Sequence, residues 1–298
     1  MATAGIQPEP PLIVIVGPTA SGKTGLAITI AREFNGEIIS ADSRAIYRHL
    51  DIGTAKPSID ERQGIPHWGI DLVDPGERFT AADFKQYAND KVREIRGRGK
   101  VPILVGGTGL YVDAVIYDYE FLGADYDKVR RAELESLTIG ELCDYCFKHN
   151  IALPENNKNK RYVVNNILRN GHVLKRRKSP ISNCLVVGIT TEKQLLRQRI
   201  HERAMTMFGA PVCKEATDAA KNFGWDNEAM TGNIYPLIRL LHEGTISRDE
   251  AIDRFEILDW RLAKRQLTWL RRNEHIRWFD SAAAYTYIAQ RLVAMNKS

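Results

Sequence analysis

The chain has 298 residues, 44% hydrophobic and 27% charged, enough to bury a full core and unlike a disordered or fibrous composition. Its first aliphatic run, Leu12-Ile-Val-Ile-Val16, is too short to span a bilayer, and the residues before it lack the basic and apolar regions of a secretion signal. Four scattered cysteines make no disulfide framework, so free thiols and a cytoplasmic location are expected.

The run at 12–16 reads as a buried parallel strand, and residues 22–34 as the helix after it. A second strand is expected at 38–42, after the turn signal Asn35-Gly36, and a third at 67–73. Thr80 and Asp83 mark a helix start, and Phe84, Tyr87, Ala88, Val92 and Ile95 recur on one helical face. Residues 101–105 form another buried strand. After about residue 123 the pattern turns helical, over 127–137, 139–149 and 160–174. A strand at 184–190 returns to the sheet, and from Gln194 onward the chain is expected to be helical, with breaks at Gly209-Ala-Pro211, Gly224, Gly232 and Gly244.

Gly17-Pro-Thr-Ala-Ser-Gly-Lys-Thr24 fits G-x-x-x-x-G-K-[ST] and lies between a strand and a helix. Gly17, Pro18, Thr19, Ala20, Ser21 and Gly22 would wrap backbone amides around phosphate oxygens, at a helix N-terminus that favours an anion. Lys23 would neutralise the terminal phosphate, and the Thr24 hydroxyl would hold Mg²⁺. The expected fold is therefore α/β: a P-loop NTPase-like parallel sheet core with an inserted all-helical module and a helical C-terminal region. Residues 1–11 are expected as a flexible N-terminus, 12–123 with 184–298 as the core and C-terminal helices, and 124–183 as the helical insertion.

A phosphate-splitting enzyme of this class uses an acid at the end of a core strand to hold Mg²⁺. The strand at 101–105 instead ends in Gly106-Gly-Thr-Gly109, with no carboxylate. Asp42 ends a different strand, at the edge where ligands bind in such sheets. It is either a base for a nucleophile or a turn-forming aspartate.

The net charge of +5 is modest but unevenly placed. From Lys158 to Lys178 there are eight Lys/Arg and no Asp or Glu, and from Arg261 to Arg277 there are six against Glu274. Two basic blocks suit a polyanion such as RNA, although each alone could be a solvated face. Lys264, Thr268 and Arg271 fall on one helix face, beside a row of Arg265, Trp269 and Arg272. Cys143-x-x-Cys146 with His149 is read as packing rather than as a metal site.

Taken together, Gly17–Thr24, Ser40-Ala-Asp-Ser-Arg44 with Ile46-Tyr47, Asp51-Ile-Gly-Thr-Ala-Lys-Pro57, Pro66-His67 with Asp71-Leu-Val-Asp-Pro75, Gly106-Gly-Thr-Gly-Leu-Tyr111 and Ala263-Lys-Arg-Gln-Leu-Thr-Trp269 resemble the tRNA dimethylallyltransferase family. The likeness is dense over 12–117 and returns at about 195–208 and 258–280. It implies transfer of a dimethylallyl group from dimethylallyl diphosphate to N6 of an adenosine beside the anticodon, position 37, giving diphosphate. On the resemblance, Asp42 is the base, Thr108 holds substrate at the reaction channel, and the loop with Lys23 takes the donor's diphosphate, with Mg²⁺ as cofactor. It also assigns tRNA contacts, in the anticodon stem-loop, to Asp42, Ser43, Arg44, Ala45, Arg161, Lys264, Arg265, Gln266, Thr268 and Arg271, and makes the insertion a tRNA-contacting module. The protein is expected to act as a monomer, away from membranes.

The sequence also departs from the family. Ala45 stands for the usual Gln, and Asn165-Asn166 for Arg-Ala. In Met230-Thr-Gly-Asn-Ile-Tyr-Pro236 only Tyr235 remains of an Arg followed by Gly-Tyr-Arg, and Trp260 replaces another Arg. Two rival activities are a prenyltransferase acting on free adenine nucleotides, and a P-loop small-molecule kinase or noncatalytic tRNA-binding relative. The first would not need the insertion or the basic helix, and the kinase would want a second magnesium-holding acid.

Overall fold

The structure is a computed structural model and describes residues 9–121, 128–172 and 175–295. The chain divides into two compact units, Met1–Tyr117 with Ser179–Ser298, and Asp118–Lys178. The flexible N-terminus expected over 1–11 lies, for residues 1–8, outside the described residues. Glu9 and Pro10 are tied down, since Arg96 Nε donates to Pro10 O at 2.8 Å and Asn183 Nδ2 to Glu9 O at 2.7 Å.

The larger unit is built on a six-stranded parallel sheet, as the sequence predicts. Its strands are β1 (Leu12–Val16), β2 (Gly36–Ser40), β3 (His67–Trp68), β4 (Val101–Gly106), β5 (Cys184–Ile189) and β6 (Arg277–Phe279), in the order β3-β2-β4-β1-β5-β6. All five residues of β1 are buried, because both faces of a central parallel strand are covered. Ile13 and Ile15 pack under α1 (Lys23–Glu33), while Leu12, Val14 and Val16 face the opposite core with Phe84, Ala88 and Ile95 of α2 (Ala81–Gly97). The start of α2 is a full capping box between Thr80 and Asp83, as expected. Next comes α3 (Gly109–Ile116), where Tyr111 stacks on Phe84 with centroids 4.2 Å apart.

Three expectations need correction. The strand expected at 67–73 is only two residues long, because Gly69 (φ 80°) and Asp71 (φ 54°) take left-handed backbone that ends an extended run. A Cβ at Gly69 would lie against Ser40 O, so glycine is what lets the chain turn there. Beyond Gln194 the chain is not wholly helical: β6 adds an edge strand, with Gly188 paired to Trp278, and is too short to show alternation in sequence. The strand expected at 38–42 runs instead over 36–40, so Asp42 sits just past its end.

The remaining helices of this unit are α7 (Lys193–Met207), α8 (Ala210–Phe223), α9 (Tyr235–His242), α10 (Arg248–Leu270) and α11 (Ser281–Met295), broken near the glycines noted above. In the smaller unit α4 (Lys128–Ser136), α5 (Ile139–Lys148) and α6 (Lys160–Leu168) enclose a core of Leu134, Leu142, Cys146, Val163, Val164 and Ile167. Helix α6 stops well before residue 174, since Asn170 (φ 50°) and Gly171 (φ 73°) close its end with bonds to Ile167 O and Asn166 O. Residues 173 and 174 of that expected helix lie outside the described residues. All four cysteines are free thiols, and no helix among the described residues is long and apolar enough to cross a membrane.

Candidate active site

The loop between β1 and α1 closes over the carboxyl end of the sheet. Ala20 (φ 60°) and Gly22 (φ 87°) give it the left-handed turns that point successive amides into one concavity. Gly17 admits Ser21, whose hydroxyl oxygen a Cβ would meet at 2.8 Å. Thr24 lies in the first turn of α1, partly exposed. Lys23 Nζ donates to Pro18 O at 3.2 Å, folding the side chain back over its own loop. Desolvation pushes its pKa down to about 8; of the charges nearby, the Asp42 carboxylate opposes this most and Arg203 adds to it.

Asp42 and Thr108 come from the two neighbouring strand ends. Ala41 N donates to Val105 O at 2.7 Å and Thr108 N to Ala41 O at 3.3 Å, which zips the segment after β2 to the one after β4. Gly106 has no room for a side chain against Ala41. Thr108 Oγ1 accepts from Ser43 N at 3.1 Å, and Asp42 Oδ1 accepts from Arg44 N at 2.8 Å. One Asp42 oxygen is thus held by its own turn, and the half-exposed carboxylate still acts on Lys23. Both readings of Asp42 made from sequence, turn former and base, are compatible with one position.

The turn is braced from behind. Lys56, almost wholly buried, donates to Asp51 Oδ1 (2.7 Å) and Asp71 Oδ1 (2.6 Å). Glu215 of α8 accepts from the amides of Asp51, Ile52 and Gly53 at 2.7, 2.7 and 2.9 Å, and from Tyr235 Oη at 2.9 Å. Gly53 lies so close to the Tyr235 ring that no side chain fits there.

Sequence reasoning missed a second layer on the phosphate loop. Arg203 Nη1 donates to Thr19 Oγ1 at 2.7 Å, Arg199 Nη1 to Ala20 O at 3.3 Å, and Thr19 N to Gln266 Oε1 at 2.8 Å. The spacing of Arg199 and Arg203, one helical turn on α7, was the available signal.

The family model described as IPP transferase matches residues 45–273. The tRNA dimethylallyltransferase of Carboxydothermus hydrogenoformans is 38% identical over 285 residues, covering 91% of this chain and 92% of that protein. The crystal structure of the full-length tRNA isopentenylpyrophosphate transferase of Bacillus halodurans aligns with a TM-score of 0.74 at 35% identity, over 97% of this chain and 99% of that one. The tRNA isopentenylpyrophosphate transferase of Staphylococcus epidermidis gives 0.71 at 32% identity, over the same shares. The chain belongs to the tRNA dimethylallyltransferase family. It is an enzyme of the prenyltransferase class, and nothing in these likenesses favours the free-nucleotide, kinase or noncatalytic alternatives.

The family-derived tRNA set falls into three places. Lys264, Arg265, Thr268 and Arg271 are exposed on α10, with the Thr268 hydroxyl turned back to Lys264 O at 2.9 Å. Arg271 also lines a cavity of about 230 Å³ with Pro18, Leu267 and Trp278. Ser43 and Arg44 flank Asp42, the Arg44 guanidinium donating to Glu228 O at 2.8 Å. Arg161 is exposed on α6 in the smaller unit. Two residues of the set sit elsewhere than expected. Ala45 is 4% exposed, so its methyl belongs to the core. Gln266 spends its carbonyl on the Thr19 amide and packs against Gly107, where a Cβ would collide with it. In the segment that departs from the family, Asn233 Nδ2 donates to Asp259 Oδ1 at 2.8 Å, and Tyr235 is engaged with Glu215. Asn166, another departure, donates to Ala152 O at 2.8 Å.

Proposed function

We propose that this chain transfers the dimethylallyl group of dimethylallyl diphosphate to N6 of the adenosine next to the tRNA anticodon, position 37, releasing diphosphate. The observation that carries this reading is that the Asp42 carboxylate and the Lys23 ammonium act on each other at adjacent strand ends. One group suits a departing anion and the other a departing proton.

The loop amides and Lys23 bind the diphosphate as fixed donors. An arriving anion favours protonated Lys23, restoring what desolvation removes. The adenine amine attacks the allylic carbon while the C–O bond breaks and its electron pair leaves with diphosphate. The amine is a weak nucleophile, because its lone pair is delocalised into the ring. Asp42 accepts the N6 proton as the C–N bond forms. Thr108, already bonded to Ser43 beside Asp42, has its hydroxyl hydrogen available to a substrate acceptor. Mg²⁺ fits a donor set of the Thr24 hydroxyl with phosphate oxygens and water, all hard oxygen ligands. Bound there, it would neutralise charge on the leaving group.

The adenine must leave its stack to reach Asp42, which costs less in an anticodon loop than in a duplex. Lys264, Arg265 and Arg271 on the exposed face of α10 would meet the RNA backbone. The reading takes the protein to act as a monomer in the cytoplasm.

Labelled dimethylallyl diphosphate, incubated with Mg²⁺ and either total tRNA or AMP, tests it. Label is expected in tRNA and is expected to vanish with Asp42→Ala. Label in AMP alone would replace the tRNA substrate with a free nucleotide.

A further inference from the structure

Two arginines of α7 reach the phosphate loop from outside it. Arg199 bonds only a carbonyl, Ala20 O, which any loop brace could do. Arg203 is set differently. Its Nη1 donates to Thr19 Oγ1 at 2.7 Å, while its Nε is buried with no hydrogen-bond partner. Asp259 Oδ2, 3.6 Å from that Nη1, is also buried without one. Asp259 is 2% exposed, and its other oxygen is fixed by Asn233.

A buried carboxylate is costly unless a cation balances it, and Arg203 is the cation at hand. The balance holds the guanidinium at the loop, although Asp259 does not saturate its donors. A guanidinium offers five N–H groups in a rigid fork suited to phosphate oxygens. No Lys or Arg occurs between residues 222 and 238, so the segment bearing Asn233 brings no cation of its own. What it brings is the amide that fixes Asp259.

We propose that Arg203 is a second cation of the diphosphate site, contacting the ligand that Lys23 and the loop amides bind, with Asp259 and Asn233 as its positioning residues. The proposal rests on the diphosphate reading of the loop and assigns it a further binding residue. It also makes Asn233–Asp259–Arg203–Thr19 one continuous line from the divergent segment to the loop.

Calorimetric titration of the full chain with inorganic pyrophosphate in Mg²⁺ buffer tests it. Arg203→Ala should weaken binding about 10- to 100-fold, the usual worth of a charged hydrogen bond. Should that variant fail to fold, Arg203→Gln, which keeps an amide donor for Thr19, should show a loss in the same range. Asp259→Asn should lose less, in the same direction. Thr19→Val, which removes the loop contact but leaves the cation, should lose clearly less than Arg203→Ala. Wild-type affinity in a folded Arg203→Ala or Arg203→Gln overturns the proposal. So does a Thr19→Val loss equal to that of Arg203→Ala, for then Arg203 only braces the loop. If the unsubstituted chain binds no pyrophosphate, the transferase reading fails with it; if it binds and the arginine variants match it, only the role of Arg203 fails.

Discussion

The phosphate loop and the helices around it achieve order by opposite routes. In the loop, the groups that face an anion are backbone amides and one lysine within eight consecutive residues, Gly17–Thr24. Around it, Arg203, Asp259 and Gln266 come from two helices far along the chain, the Thr19–Gln266 bond spanning 247 residues. The loop's shape follows from local backbone geometry, so a short pattern can encode it. The outer layer follows from tertiary packing and leaves no pattern that a short window can hold.

Lys23→Met should have the largest effect, lowering kcat/KM for prenyl transfer by about a thousandfold or more while tRNA affinity persists. A loss under about tenfold would break the comparison, because the local motif would no longer dominate. Gln266→Ala comes next. It leaves the Thr19 amide without its acceptor, at a cost of about 1–3 kcal/mol. The reading is a rise in KM for dimethylallyl diphosphate, rescued by Gln266→Glu, which keeps the acceptor oxygen. A change confined to tRNA affinity would return Gln266 to the RNA contacts that the family resemblance assigns it.

The same contrast explains what the sequence disclosed. The aliphatic run of β1, the Thr80–Asp83 box and the Gly17–Thr24 spacing are local features, and each appears in place. Strand β6 has three residues and exists only because β5 offers an edge, so no periodicity could reveal it. The extended run at 67–73 fails at Gly69 and Asp71, where packing against Ser40 and the Asp71–Lys56 ion pair overrule the strand pattern. Asp42 was legible as an acid at a strand end. Its link to Lys23 required the parallel register to bring two loops together.

Glu37 tests the sheet beneath both regions. Burial raises its pKa, but bonds from Arg98, Lys100 and Trp68 outweigh this and leave it below the usual glutamate value of 4.5. A depressed folded pKa means a stabilising contribution fully present above the unfolded value and lost as pH falls through the folded one. Thermal melting should therefore show an acid-side decline below about pH 4.5 that is shallower in Glu37→Gln, with Glu37→Gln less stable by about 1–2 kcal/mol at neutral pH. An unchanged acid limb would remove Glu37 from the account.

The smallest effects belong to the exposed face of α10, and they sharpen the comparison most. Lys264 and Arg265 stand in solvent, two turns or less from Gln266, Trp269 and Leu270, whose side chains turn inward. If the outer face only meets RNA phosphates, each charge removed should release about one fewer counterion. Lys264→Ala and Arg265→Ala would then each flatten the slope of log affinity for tRNA against log salt by about 0.7–0.9. KM for dimethylallyl diphosphate should stay unchanged, since neither side chain reaches Thr19 as Gln266 does. One helix would thus divide its work by face, with neighbouring residues in sequence serving different ligands. A slope that does not move in either variant would show that the charge block is a solvated surface and that tRNA is held elsewhere.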